Sequence, residues 1–207
     1  TGAQTTFTAT DIITDGTSTD SDTLNVAATA DITATATVTG VENINFTLAS
    51  FTSGGDNEFD VAANNIGPAT ITLDVDQVGS TVTSAAVTAL TSGSTINTSA
   101  DITGTVTLTA AADNEVVTSS GAATSYVVTS AGTLTNVTLS STSTAATKFD
   151  TDADGVVTLT SAGDMTIDAL AAKTVVATSS KAIVDVTTDD LDAATSVTLT
   201  AGDEIVA

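Results

Sequence analysis

The chain has no cysteine, histidine, tryptophan or arginine, and its only basic side chains are Lys148, Lys173 and Lys181. Each absence closes a class of function. Without histidine and cysteine there is no imidazole general base, no thiol nucleophile, no Ser-His-Asp triad and no Cys/His zinc site. No disulfide can form either, so stability must come from packing, hydrogen bonds or bound metal; the lack of cysteine does not by itself identify a compartment. Against three lysines stand 25 acidic residues, giving a net charge of −22 over 207 residues. A nucleic-acid partner is excluded, because no basic surface exists to displace phosphate counterions. An anionic membrane repels the chain for the same reason, and no apolar run is long enough for direct membrane insertion. Small cations are the natural partners.

High acidity and only 3% aromatic residues resemble the composition of a disordered chain. The 41% hydrophobic content argues for a folded one, since Val, Ile and Leu recur at regular positions. In "NINFTL" (43–48), "TITLDV" (70–75), "TVTLTA" (105–110), "NVTLSS" (136–141), "VVTLTS" (156–161) and "SVTLTA" (196–201), apolar residues alternate with polar ones, mostly Thr. A period of two places Val106 and Leu108 on one face of a strand and Thr107 and Thr109 on the other. Helix is nearly excluded; the best candidate, "DALAAK" (168–173), is too short to matter.

These strands arrive about every ten or eleven residues, separated by Gly, Asp, Asn and Ser, which is the signature of a repeat architecture. Val137 and Leu139 recur as Val157 and Leu159, and again as Val197 and Leu199. The fold expected is all-β, a parallel β-solenoid or β-helix-like rod with roughly twenty residues per coil, about ten coils and a length on the order of 50 Å. The alternative is a set of tandem antiparallel immunoglobulin-like β-sandwiches. Scarce hairpin dipeptides, recurrent Ala and Ser, and too few aromatics to fill a sandwich core favour the solenoid. "ATADITATATVTG" (28–40) reads as one long alternating strand. The organisation expected is a single elongated region over 1–207, with 1–48 as a distinct, longer-stranded start. The chain reads as a mature product or a segment of a longer one.

The sharpest chemical motif is Asp150-x-Asp152-x-Asp154-Gly155. Oxygens at alternating positions, a Gly for the turn and the backbone carbonyl of Val156 match the first half of a calcium loop. Ser161 stands where the bidentate Glu belongs, so the last ligand comes from elsewhere, Asp164 or a neighbouring coil. Weaker calcium candidates are Asp56, Asn57 and Asp60 in "GGDNEFD" (54–60), and Asp189, Asp190 and Asp192 in "TTDDLDAA" (187–194). "AADNE" (111–115) and "STDSD" (18–22) are similar acidic turns. Paired carboxylates also serve glycosidases, but a site with no Trp, His or Arg around it is bare, and an enzyme is not expected.

"SDTLNVAATADITATATVTGVENINFTL" (21–48) resembles bacterial surface-layer proteins and the related repeats-in-toxin exoproteins. The resemblance extends to the acidic, Thr-rich, Cys-free composition. The glycine-rich nonapeptide of those exoproteins is absent: "GGDNEFDV" (54–61) has Asn57 and Phe59 at two of its key positions. The resemblance implies a secreted, extracellular protein that assembles on the cell surface with calcium. The function expected is a structural component of a surface layer or filament, a homo-oligomer in a lattice, with cell-surface polysaccharide as a second partner. A calcium-dependent adhesin or carbohydrate-binding stalk is the alternative.

Overall fold

The alternating stretches are strands in the computed structural model, which describes residues 7–17, 20–29, 32–34, 36–49, 59–76, 81–111, 116–130, 132–169, 171–184, 186 and 191–206. In chain order they are β1 Ile12–Thr14, β2 Thr23–Ala28, β3 Ile32–Ala34, β4 Thr37–Thr39, β5 Asn43–Leu48, β6 Phe59–Ala62, β7 Thr70–Val75, β8 Val82–Leu90 and β9 Thr95–Thr98. They continue as β10 Ile102–Ala110, β11 Val116–Gly121, β12 Ser125–Ser130, β13 Asn136–Ser141, β14 Thr147–Thr151, β15 Val156–Ser161, β16 Met165–Asp168, β17 Thr174–Ser179 and β18 Ser196–Ala201. A 3-10 turn, Ala63–Asn65, lies between β6 and β7. No α-helix occurs among the described residues.

The chain alternates between two parallel sheets. A nine-stranded sheet runs β18-β17-β15-β13-β11-β9-β7-β5-β2, and a seven-stranded sheet runs β16-β14-β12-β10-β8-β6-β3. Apart from β17 and β18, which are consecutive and pair directly, each strand of these two sheets pairs with the strand one coil away and not with its neighbour in sequence. That is a β-solenoid of about seven turns, and the parallel pairing rules out an antiparallel sandwich. β17 and β18 extend the longer sheet, while single bridges Met165–Ile183 and Ile183–Ile205 prolong the shorter one. At about 4.8 Å per strand the nine rungs span about 40 Å. Ten equal coils would be longer, but the coils are unequal: Thr23 stacks on Asn43, whereas Asn43 stacks on Thr70.

Register explains the repeated intervals in the sequence. Val137 and Leu139 stack on Val157 and Leu159. Val175 and Ala177 follow, then Val197 and Leu199, so the longer interval is two coils. Apolar residues point inward: Ile44, Phe46 and Leu48 lie in register with Ile71, Leu73 and Val75, all buried. The aromatics among the described residues, Phe7, Phe46, Phe59, Tyr126 and Phe149, lie in this core. Phe7 meets Phe46 edge-on at 5.6 Å, and Tyr126 stacks on Phe149 at 5.4 Å. Burial pushes the Tyr126 phenol up to about 12.

Buried serines make one corner. Ser141, Ser161 and Ser179 stack in register where the chain leaves the nine-stranded sheet. Each hydroxyl accepts the N–H two residues on, from Ser143, Gly163 and Lys181 at 3.2, 3.2 and 3.0 Å. Ser141 and Ser179 also donate to the carbonyls of Ala123 and Gly163, at 2.8 and 2.7 Å. A side chain that satisfies the orphaned N–H of a turn lets a buried corner form without a polar-group penalty.

The stretch 28–40 is not one long strand. It forms β3 and β4, which pair with different partners, β6 and β1. Ala36 lies fully buried between them. A Thr/Ala alternation carries so little bulk that a flat strand and two strands around a corner look alike in sequence.

Leu159 is 1% exposed, whereas Thr158 beside it faces outward. Leu159→Ala should cost about 2–5 kcal/mol in urea denaturation, and Thr158→Ala no more than about 0.5 kcal/mol. Equal costs would overturn the assignment of inward and outward faces.

Candidate metal centre

The aspartates of the DxDxDG motif follow the perimeter of a coil and do not curl around a point. Asp150 lies in β14, facing outward on the seven-stranded sheet, with Lys148 Nζ 3.2 Å from its carboxylate. Lys148 also lies 3.9 Å from Asp168. Asp152 sits at the following corner and accepts the Ser130 N–H at 3.1 Å. Asp154 is fixed by its own N–H, which donates to the Leu134 carbonyl at 2.9 Å. Alternate residues of an extended chain stand about 6.5–7 Å apart, and the three carboxylates form no cluster within 4.8 Å. Gly155 has its own reason: an added Cβ would lie 2.2 Å from the Thr135 carbonyl oxygen of the adjacent coil. Close coil stacking, not a left-handed turn, requires glycine there. Val156 opens β15, with its backbone in register with Asn136 and Thr174.

Of the weaker candidates, Asp56, Asn57, Asp189 and Asp190 lie outside the described residues. Asp60 is exposed on β6, and Asp192 is exposed in the turn before β18.

Among the described residues, the carboxylates that do converge are Asp15, Asp20 and Asp22, whose oxygens lie within 4.8 Å of one another. Asp15 follows β1, and its N–H donates to the Thr39 carbonyl at 2.9 Å. Gly40 supports this corner at φ +75°, where a Cβ would stand 2.6 Å from the Asp15 carbonyl oxygen. The Asp15 carboxylate accepts the Thr17 N–H at 2.7 Å, and the Thr17 hydroxyl lies 2.7 Å from Asp15 and 2.8 Å from Asp20. Asp22 enters β2 with its N–H donating to Glu42 at 3.0 Å. A cleft of about 230 Å³ adjoins the cluster, lined by Ile13, Thr14, Asp15, Asp22, Thr23, Leu24 and Val41. "STDSD" marks Asp20 and Asp22 in the sequence. Asp15 was missed because the fold of the first coil, not spacing, brings it in.

The electrostatics are unbalanced. Asp20 and then Asp15 repel the charged form of Asp22 and raise its pKa above 3.8. Hydrogen bonds from Thr17 lower that of Asp15. No lysine pairs with these groups among the described residues. An oxygen-only, solvent-accessible set of this kind suits a hard cation, and its open geometry suits Ca²⁺ better than the stricter octahedron of Mg²⁺.

The outer face of the nine-stranded sheet is different in kind. Thr70, Thr95, Thr118, Thr138 and Thr158 stack in one rank, and Asn97, Ser120, Ser140, Thr160 and Thr178 in the next. The surface is hydroxyl and amide, without charge in these ranks. No protein-family model matches the chain, nor does any curated protein or solved structure.

Asp22→Asn should weaken calcium binding by an order of magnitude or more in a calorimetric titration, while leaving the melting temperature in chelator no lower than the parent's. The sign follows from the raised pKa: the ionised form opposes the metal-free fold, and the opposition disappears on acidification through that pKa. Calcium affinity should fall over the same range, because proton and metal compete for Asp22. An affinity unchanged by Asp22→Asn would remove this cluster as the centre.

Proposed function

We propose that the chain is a structural building block of an extracellular surface layer or filament, fastened by calcium. The observation that carries this reading is the Asp15–Asp20–Asp22 cluster at the first coil of a β-solenoid whose side chains include no imidazole, thiol or guanidinium. The loop that carries the cluster is held against residues 39–42 at both ends, since the Asp15 N–H donates to the Thr39 carbonyl and the Asp22 N–H to the Glu42 carboxylate. A cation bound there stabilises the folded form by mass action, by about 2.7 kcal/mol at 100 times its dissociation constant. Partial neutralisation of a −22 chain also lowers the repulsion between copies in a lattice. The resemblance of residues 21–48 to surface-layer proteins agrees with this role.

A second reading, a carbohydrate-binding stalk, draws on the uncharged ranks of Thr, Ser and Asn. They offer donors and acceptors to a polysaccharide lying along the sheet, although no aromatic platform stands among them for stacking.

The building-block reading predicts a clear rise in melting temperature in millimolar calcium over chelator, with growth in particle size by light scattering. An identical melt and a monomer in both conditions would defeat it.

A further inference from the structure

We infer that the outer face of the nine-stranded sheet binds ice, as a rigid array of hydroxyl and methyl groups set against an ordered lattice of water. The inference goes beyond the building-block reading and does not depend on calcium. Its first support is which residues stand where. On all nine strands, two neighbouring outward ranks are filled by Thr, Ser or Asn, with Val176 the single exception. One pair belongs to each rung, as in Thr70 with Thr72, Thr158 with Thr160 and Thr198 with Thr200.

Charge gives the second support. The chain has 25 acidic residues and three lysines, yet none of them enters these ranks. Asp74 stands one rank further along β7. Solvation alone demands no such exclusion, since charged side chains are at home on any outward position. The seven-stranded sheet shows this: Asp60, Asp150 and Asp168 fall in one outward rank, with Lys148 in the rank beside it. The face that excludes charge therefore fits an uncharged partner.

The third support is regularity. Register runs unbroken across the nine strands, whereas β8 and β10 of the other sheet slip at Ile102/Thr105 and Leu108/Ala110. Rungs repeat at about 4.8 Å and ranks at about 6.5–7 Å. The prism plane of hexagonal ice repeats its oxygens at comparable steps in two perpendicular directions. The array is also held before any partner arrives. Thr is β-branched, with few rotamers to lose. Across rungs, the Asn45 amide donates to Asn25 and the Ser120 hydroxyl to Asn97, both at 2.8 Å. Each hydroxyl contact contributes little net free energy, so binding needs many contacts made in step. A rigid periodic partner supplies them without an ordering cost. A flexible sugar chain must be immobilised unit by unit, and no aromatic ring stands in these ranks to offset that.

The whole chain, in chelator so that calcium plays no part, should slow the coarsening of ice grains in frozen sucrose and partition into slowly grown ice. Thr138→Lys combined with Thr160→Lys places charge on two exposed positions of the face. This variant should need at least an order of magnitude more protein for the same effect, with its melting temperature unchanged. Thr107→Lys, outward on the seven-stranded sheet, should match the parent. If the double variant melts early, Thr138→Lys alone carries the comparison. A parent without effect on ice would overturn the inference. Equal loss in Thr107→Lys would overturn the choice of face. Adsorption to cellulose or chitin powder without any effect on ice would overturn it too, and give the face to the carbohydrate reading.

Discussion

Everything in this molecule depends on the parallel backbone ladder held in register from coil to coil. A rung contributes two short strands, and neither could bury its apolar face alone. Stacking buries them together, because the period of two aligns inward residues with inward residues along the whole sheet. A slip of one residue would turn each of these faces inside out, which is why Thr, well suited to an exposed pleat, can fill so many outward positions without blurring the fold. The buried corner serines serve the same ladder: they satisfy the turns that return the chain to register.

That architecture also decides where charge accumulates. Acidic residues are driven to the perimeter, and with three lysines they are scarcely compensated. The DxDxDG motif illustrates how the scaffold overrides local pattern. A loop that would gather its oxygens if free to curl is drawn along a strand and a corner. Its first aspartate lies beside Lys148, and its glycine is used for close approach between coils. The first coil does the opposite, and brings Asp15 against two aspartates that lie further along the chain.

The solenoid was legible because the interior is built from Val, Ile and Leu at alternate positions, and a ladder of that kind writes its period into the sequence. Strand positions from residue 43 onward follow the alternation closely. Residues 28–40 resisted the same reading because Ala and Thr differ too little in bulk to mark a corner. The convergence of Asp15 with Asp20 and Asp22 was illegible for another reason: it depends on the hydrogen bond from Asp15 to Thr39 and on the left-handed Gly40, contacts between segments with no shared motif.

The central claim is that calcium acts on this solenoid by fastening the loop that carries Asp15 and Asp22 against residues 39–42. Amide hydrogen exchange with and without calcium tests it most directly, because it reports opening element by element. The account predicts slower exchange in Ile12–Thr14, Thr23–Ala28 and Thr37–Thr39, with Asn136–Ser141 and Val156–Ser161 unchanged. Protection centred on Asp150–Val156, or none anywhere, would contradict it.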